Sequence, residues 1–293
     1  MNRLKLVFIM VLWGSLGVFT RYIPLSALNL AFLRALIALP VLFAFMKASR
    51  PQKVQLQALA PYLVSGALLG FGWLTLFYGF KHTSISSAVM VYNMCPVYVM
   101  ILAPLLLKEK ISRVQIGVIC VSFLGLFLIV GQNLLQGSGY MGLLLSAASG
   151  MLYAAIVLIN RSIKIRVNDP TATFVQILTA MLVLLPFVIL DGSIVTATEL
   201  NATAILFTVL LGVLHTGVAY AIFFSLYAHM QSVDIVAYSY LEPLFGILFG
   251  VLFAGEMLTL PQIAGGVLIL GSTYVGERLK DRKQARDASI TPA

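Results

Sequence analysis

Glu242 is the residue with the most chemistry to offer. Of the ten acidic residues in this 293-residue chain, it alone lies deep in an apolar run, the stretch 233–254. It stands about ten residues into that run, which at roughly 1.5 Å per residue is near the middle of a hydrocarbon layer about 30 Å thick. A charged side chain at that depth costs about 2.5–3.5 kcal/mol on the insertion scale, so it must face a cavity or a partner. Such a carboxylate can exchange protons or hold an amine. The competing expectation is a structural carboxyl, protonated or paired with Arg34 or with Ser and Tyr neighbours. Arg34 lies near the outer end of the run 28–47. From there it can snorkel to the interface, pair with Glu242 or receive a solute carboxylate. His215 sits mid-run in 203–226; a lone histidine is expected there as a packed hydrogen-bonding group before a relay.

Two prolines interrupt apolar runs at related places. Pro96 and Pro243 each lack a backbone N–H, which frees the carbonyls of Tyr92 and Ser239 four residues earlier. A broken helix at membrane depth is tolerated where it lines a polar cavity. This places Tyr92, Asn93, Ser239 and Tyr240 near a bound solute; a kink that only improves packing is the equal alternative. Pro104 and Pro186 lie nearer run ends and read as kinks. Among the aromatics inside runs, Trp13 and Tyr78 are the foremost candidates for a cavity lining, with Trp73, Tyr153 and Tyr220 behind them. Interface anchoring and packing account for most membrane Trp and Tyr. Gly66 with Gly70, and Gly246 with Gly250, have the four-residue spacing of close helix contacts. Glu109 and Glu256, at connectors, are expected to cap or tether the helix that follows each.

Other chemistries lack their residues. The three histidines stand far apart, no HExxH motif occurs, and Cys95 and Cys120 both fall inside apolar runs, so no metal site or disulfide framework is expected. No G-x-x-x-x-G-K-[ST] loop is present. The chain reads as no enzyme and as needing no cofactor.

The elements that must position these residues follow from composition. The chain is 60% hydrophobic and 10% charged, whereas roughly a quarter of a soluble domain is charged. Ten runs are long enough to cross a bilayer: about 4–22, 28–47, 59–80, 84–107, 113–131, 140–160, 171–190, 203–226, 233–254 and 259–277. Connectors are too short for a soluble domain. The first run is longer than a signal-peptide core, and Pro24-Leu25-Ser26-Ala27 matches a cleavage site poorly, so a retained helix is expected. The polar tail from Glu277 reads as a solvated end without fixed structure.

Net charge is +9, and its placement sets an orientation. With the N-terminus in the cytoplasm, 16 Lys and Arg fall on the cytoplasmic side and only Arg21 and Lys81 outside, with Arg34 inside a span. An even number of spans puts both termini in the cytoplasm. The basic residues form small clusters at run ends rather than one patch, which excludes a nucleic-acid surface.

The chain also repeats. Pro96, Glu109 and Gln115-Ile116-Gly117 recur as Pro243, Glu256 and Gln262-Ile263-Ala264 at one offset, 147. Leu68-Leu69-Gly70 and Phe32-Leu33-Arg34 match Leu210-Leu211-Gly212 and Phe174-Val175-Gln176 at offset 142. A repeat of about five spans is odd-numbered, so its second copy is inverted. Two inverted halves leave a pseudo-two-fold axis in the membrane plane and a cavity between them, the arrangement of an alternating-access carrier.

Tyr240-Leu241-Glu242-Pro243, with Gly246, Gly250, Gly255-Glu256 and Gln262-Ile263-Ala264-Gly265-Gly266, resembles the second EamA repeat of the drug/metabolite transporter superfamily. Trp13-Gly14-Ser15 and Phe32-Leu33-Arg34 resemble the opening of the first. The second half departs in having Tyr153, not Trp, near the start of its first span. The resemblance implies an all-α membrane protein of ten helices with EamA repeats over 4–131 and 140–277 and a cytoplasmic tail over 278–293. It implies a small-molecule solute, often an amino acid exported from a multi-pass protein of the cell membrane, with protons a candidate coupling ion and a monomer or homodimer as the particle. A channel would want a ring of charge or a carbonyl filter; that, or a non-transporting multi-span scaffold, is the alternative.

Overall fold

A computed structural model describes residues 2–49, 56–108, 111–135, 139–163, 165–192, 201–227 and 238–290. Every described regular element is helical. In chain order they are α1 (Asn2–Gly14), α2 (Leu16–Tyr22), α3 (Ala27–Ala48), α4 (Leu56–His82), α5 (Ile85–Tyr92), α6 (Cys95–Leu107), α7 (Arg113–Leu135), α8 (Tyr140–Ser162), α9 (Asp169–Asp191) and α10 (Ala202–Leu210). A π-helical segment (Leu211–Val218), α11 (Ala219–Tyr227), α12 (Leu241–Ala254) and α13 (Leu260–Ile290) follow. Eight stretches are long and apolar enough to cross a membrane, and the shorter apolar helices Leu241–Ala254 and Leu260–Gly276 complete the ten expected runs.

Local chemistry explains most boundaries. The Ser26, Ser84, Asn168 and Asn201 side chains accept the amide of the residue three positions on and so start α3, α5, α9 and α10. The fourth run breaks at Asn93-Met94, and α6 restarts with Pro96 in its first turn, where a missing N–H breaks no helical hydrogen bond. Pro243 likewise lies in the first turn of α12; the start of the ninth run at 233 falls outside the described residues. Two features depart from the expected pattern. The first run bends at Ser15, whose hydroxyl donates to the Leu12 carbonyl, so a Gly-Ser pair divides one span into α1 and α2. The tail is helical as far as Ile290 rather than unstructured. Glu, Arg, Leu, Lys, Gln and Ala dominate 277–286, all strong helix formers, so α13 extends beyond its apolar part.

The helix contacts obey the repeat. α1 packs on α12 as α8 packs on α5 and α6; α3 packs on the π-helical segment as α9 packs on α4; α1 meets α11 as α8 meets α4. The pairs α3–α9, α5–α12 and α7–α13 join the halves directly. Exchanging the two halves maps this set onto itself, as a pseudo-two-fold axis requires. The largest core cluster lies between the halves, built from α3, α4, α5 and α9. Leu105, Phe127 and Leu190, by contrast, point outward on the apolar surface that lipid covers.

Candidate functional site

The deepest polar residues converge between the halves. Arg34 is 2% exposed. Its Nε donates to Thr216 Oγ1 at 2.7 Å, and its guanidinium lies 4.2 Å from the centre of the Trp73 ring and 5.6 Å from that of Phe77. Snorkelling is therefore overturned: α4 and the π-helical segment cover the side chain before it can reach an interface. Among the described residues, the buried Arg34 Nη1 has no hydrogen-bond partner. Tyr220, Tyr92, Glu242 and His215 lie in electrostatic reach of Arg34.

Glu242 stands in the first turn of α12, where the helix dipole favours a carboxylate. It lines a void of about 20 Å³ with Trp13 and Tyr92, walled by Leu76, Phe80 and Val89. That is about the space of one water. Arg34 faces Glu242 electrostatically, and among the described residues no hydrogen bond fixes the carboxylate. The void is narrow because α1 lies hard against α12. A Cβ on Gly14 would stand 2.6 Å from Phe245 Cβ and 2.9 Å from the Glu242 carbonyl.

One wall of the site is a π-helical turn. Its wider winding lets Thr216 Oγ1 donate to the carbonyl of Leu211, five residues back, while also accepting from Arg34. His215, fully buried, lies 3.0 Å from Ser15 Oγ through Nε2 and against Phe19, and its carbonyl accepts from Trp13 Nε1 at 2.9 Å. Trp13 in turn contacts the rings of Tyr220 and Phe223. The Trp73 indole N–H lies within reach of the Tyr220 hydroxyl.

Of the residues singled out in the sequence, Trp13, Tyr92 and Glu242 meet at the void, with Arg34 and His215 behind them. Others lie elsewhere. Tyr78 is partly exposed and stacks on His82, and Tyr240 packs edge-on against Tyr274. Asn93 donates back to the Val89 carbonyl within its own half-helix, while Ser239 stands half-buried just before the Tyr240 turn. Pro96 and Pro243 mark the two helix starts but do not line the void. Ser15, Thr216 and, as a direct partner of Arg34, Trp73 were not anticipated. The signal available for Ser15 was its place in Trp13-Gly14-Ser15. For Thr216 there was none, since only the π turn aims it at Arg34.

Glu256 corrects a further expectation. It does not cap α13, whose N-terminus is closed by Thr259 and Gln262, the Thr259 amide donating to Gln262 Oε1 at 2.9 Å. Gly255, with φ +65°, ends α12 and turns Glu256 toward the other half. There its carboxylate accepts from the Ile85 amide and from the amide and hydroxyl of Ser86 at 2.9 and 2.7 Å. Glu109, its repeat counterpart, lies outside the described residues. Among the described residues no group of His, Cys, Asp and Glu could hold a metal ion.

Comparison with known proteins agrees with this architecture. The chain is 30% identical to the uncharacterized transporter YxxF of Bacillus subtilis (strain 168), over 98% of this chain and 92% of the relative. It is 27% identical to a protein named probable amino-acid metabolite efflux pump in Salmonella typhimurium, over 86% of this chain and 85% of the relative. The Escherichia coli protein of the same name is 26% identical, over 86% and 85%. A solved crystal structure shares the fold, with a TM-score of 0.63 at 18% identity, covering 95% of this chain and 98% of the other. The EamA-like transporter family matches twice, over residues 4–131 and 140–275, and the chain is a multi-pass membrane transporter belonging to that family.

Proposed function

We propose that this transporter exports small organic metabolites of the amino-acid type by alternating access, its two halves exchanging inward- and outward-facing conformations around the Arg34–Glu242 site. The observation that carries this reading is a buried Arg34 within electrostatic reach of Glu242, between halves whose contacts are related by exchange. A zwitterion presents the complementary pair, a carboxylate for Arg34 Nη1 and an amine for Glu242, and Trp13, Tyr92 and Tyr220 offer apolar faces to its side chain. Relatives named as amino-acid metabolite efflux pumps support the substrate class and direction. A void of about 20 Å³ supports a carrier over a channel, which needs a continuous wet path.

Glu242 is the proposed coupling group, binding a proton on one side of the membrane and releasing it on the other. Purified protein in liposomes tests both statements. Labelled amino acid should accumulate transiently against unlabelled amino acid on the other side, saturably, in wild type and, at higher solute concentrations, in Glu242→Gln. Uphill transport driven by a proton gradient should be lost in Glu242→Gln alone. Unchanged uphill transport in that variant would sink the coupling role, and absence of counterflow in the wild type for every amino acid, amine and nucleobase tried would sink the substrate class. A thermal-shift screen narrows the search first, since a ligand at about a hundred times its Kd adds about 2.7 kcal/mol of stability.

A further inference from the structure

We propose that Glu256 is the latch of the outer gate, a carboxylate of the second half that holds shut the outer end of the first. This rests on the alternating-access reading and adds to it the group that closes one side. α5 belongs to the first half and Glu256 to the second, and no bond of the latch is local: the partners are 170 and 171 residues apart in sequence. The receptor is complete for a carboxylate. Two amides at the start of α5 and the Ser86 hydroxyl meet its oxygens, and Arg21 lies 3.5 Å from Oε1 while donating to the Thr83 carbonyl. The Glu256 side chain is 8% exposed, although it springs from a connector at the membrane surface. Gly250 leaves room for it: a Cβ there would stand 2.7 Å from Oε2 and 2.8 Å from Ser86 Oγ.

Position gives the latch its function. On the outer side lies an open vestibule of about 410 Å³ to which Ser84 and Glu256 contribute, along with Arg21 and Lys81, the two basic residues assigned to the outside. On the inner side, Val89 lines the void that holds Glu242. Ser86 and Val89 are three residues apart on α5, about 4.5 Å along its axis. The latch is therefore the seal between vestibule and void. Two weaker bonds between the halves flank it, Gln262 Nε2 to Ser87 Oγ at 3.0 Å and Tyr22 Oη to the Phe253 carbonyl at 3.2 Å. Charged hydrogen bonds dominate such a set, being worth roughly twice neutral ones.

Thiol accessibility tests the latch without requiring transport. In a Cys95→Ala/Cys120→Ser background, Val89→Cys reports whether a membrane-impermeant thiol reagent applied from the outside reaches the void. Glu256→Gln should raise the labelling rate about tenfold or more, the change expected on weakening two or three hydrogen bonds to a charge. Gly250→Ala, which displaces the carboxylate by a different route, should raise it in the same direction. Thr259→Ala, which removes a bond of the local α13 cap, should leave the rate unchanged. Equal rates in wild type, Glu256→Gln and Gly250→Ala, all monodisperse by gel filtration, would overturn the latch; if either variant fails to fold, the other decides. Counterflow in the same liposomes separates the two readings. Counterflow with unaltered labelling sinks the latch alone, whereas faster labelling in a protein without counterflow upholds the latch and sinks the carrier reading.

Discussion

Glu242 and Glu256 stand 14 residues apart in the second half, at the two ends of α12, and the structure treats them oppositely. Glu256 is saturated: three donors and a guanidinium surround it, all from the first half. Glu242 lines a small void within electrostatic reach of Arg34, with no hydrogen bond fixing it among the described residues. A saturated carboxylate holds two elements together, and its removal is felt as lost stability. An under-coordinated one in a low-dielectric site retains capacity for a ligand or a proton, and its removal is felt as lost function. The difference between a residue that holds the halves and one proposed to serve the solute lies in the partners each has.

Arg34→Ala tests the centre most severely. Losing its charged hydrogen bond to Thr216 and its stacking on Trp73 together costs about 3–5 kcal/mol, so counterflow should fall more than a hundredfold and the unfolding midpoint should drop. Arg34→Lys should recover little, because a compact ammonium cannot both stack on Trp73 and keep the Thr216 bond. Retained counterflow in Arg34→Ala would remove Arg34 from the site.

The two glutamates can next be set against each other by thermal unfolding in detergent. Glu256→Gln should lose about 1.5–3 kcal/mol, the worth of hydrogen bonds to a charged group. Glu242→Gln should keep or raise the midpoint, since an amide removes the desolvation penalty of a charge at membrane depth. The reverse order would break the comparison. Gly14→Ala should cost about 1–3 kcal/mol by overpacking α1 on α12. Gly117→Ala, whose Cβ would meet nothing within 4 Å, should instead gain about 0.5–1 kcal/mol. Ser15→Ala should cost about 1 kcal/mol, from its contact with His215 Nε2; an unaltered midpoint would mean that the α1–α2 bend is held by packing alone.

Much of this molecule can be read without its structure. Membrane spans are self-contained: a run of apolar residues satisfies its own backbone bonds, and Lys and Arg at its ends state which way it lies. The P-x12-E-x5-Q-I series recurring at offset 147 carries the duplication for the same reason, since its Pro and Gln stand at local helix starts. Trp13, Tyr92 and Glu242, which meet at the void, were legible as candidates because each is a polar or aromatic interruption of an apolar run.

What tertiary structure alone decided concerns partners distant in the chain. Thr216 is one hydroxyl among many until a π turn aims it at Arg34, 182 residues away. Trp73 is one of many membrane aromatics until it lies over a guanidinium. Glu256 reads as a cap for the helix beside it, yet the left-handed Gly255 sends it across to α5. By itself the sequence determined the class, the spans and the two repeated halves, and gave an expected orientation, because hydrophobicity and charge act residue by residue against a bilayer. Which donor meets which acceptor was left to the packing of the two halves, because a hydrogen bond depends on angstrom-scale approach between groups that hydropathy and spacing do not relate.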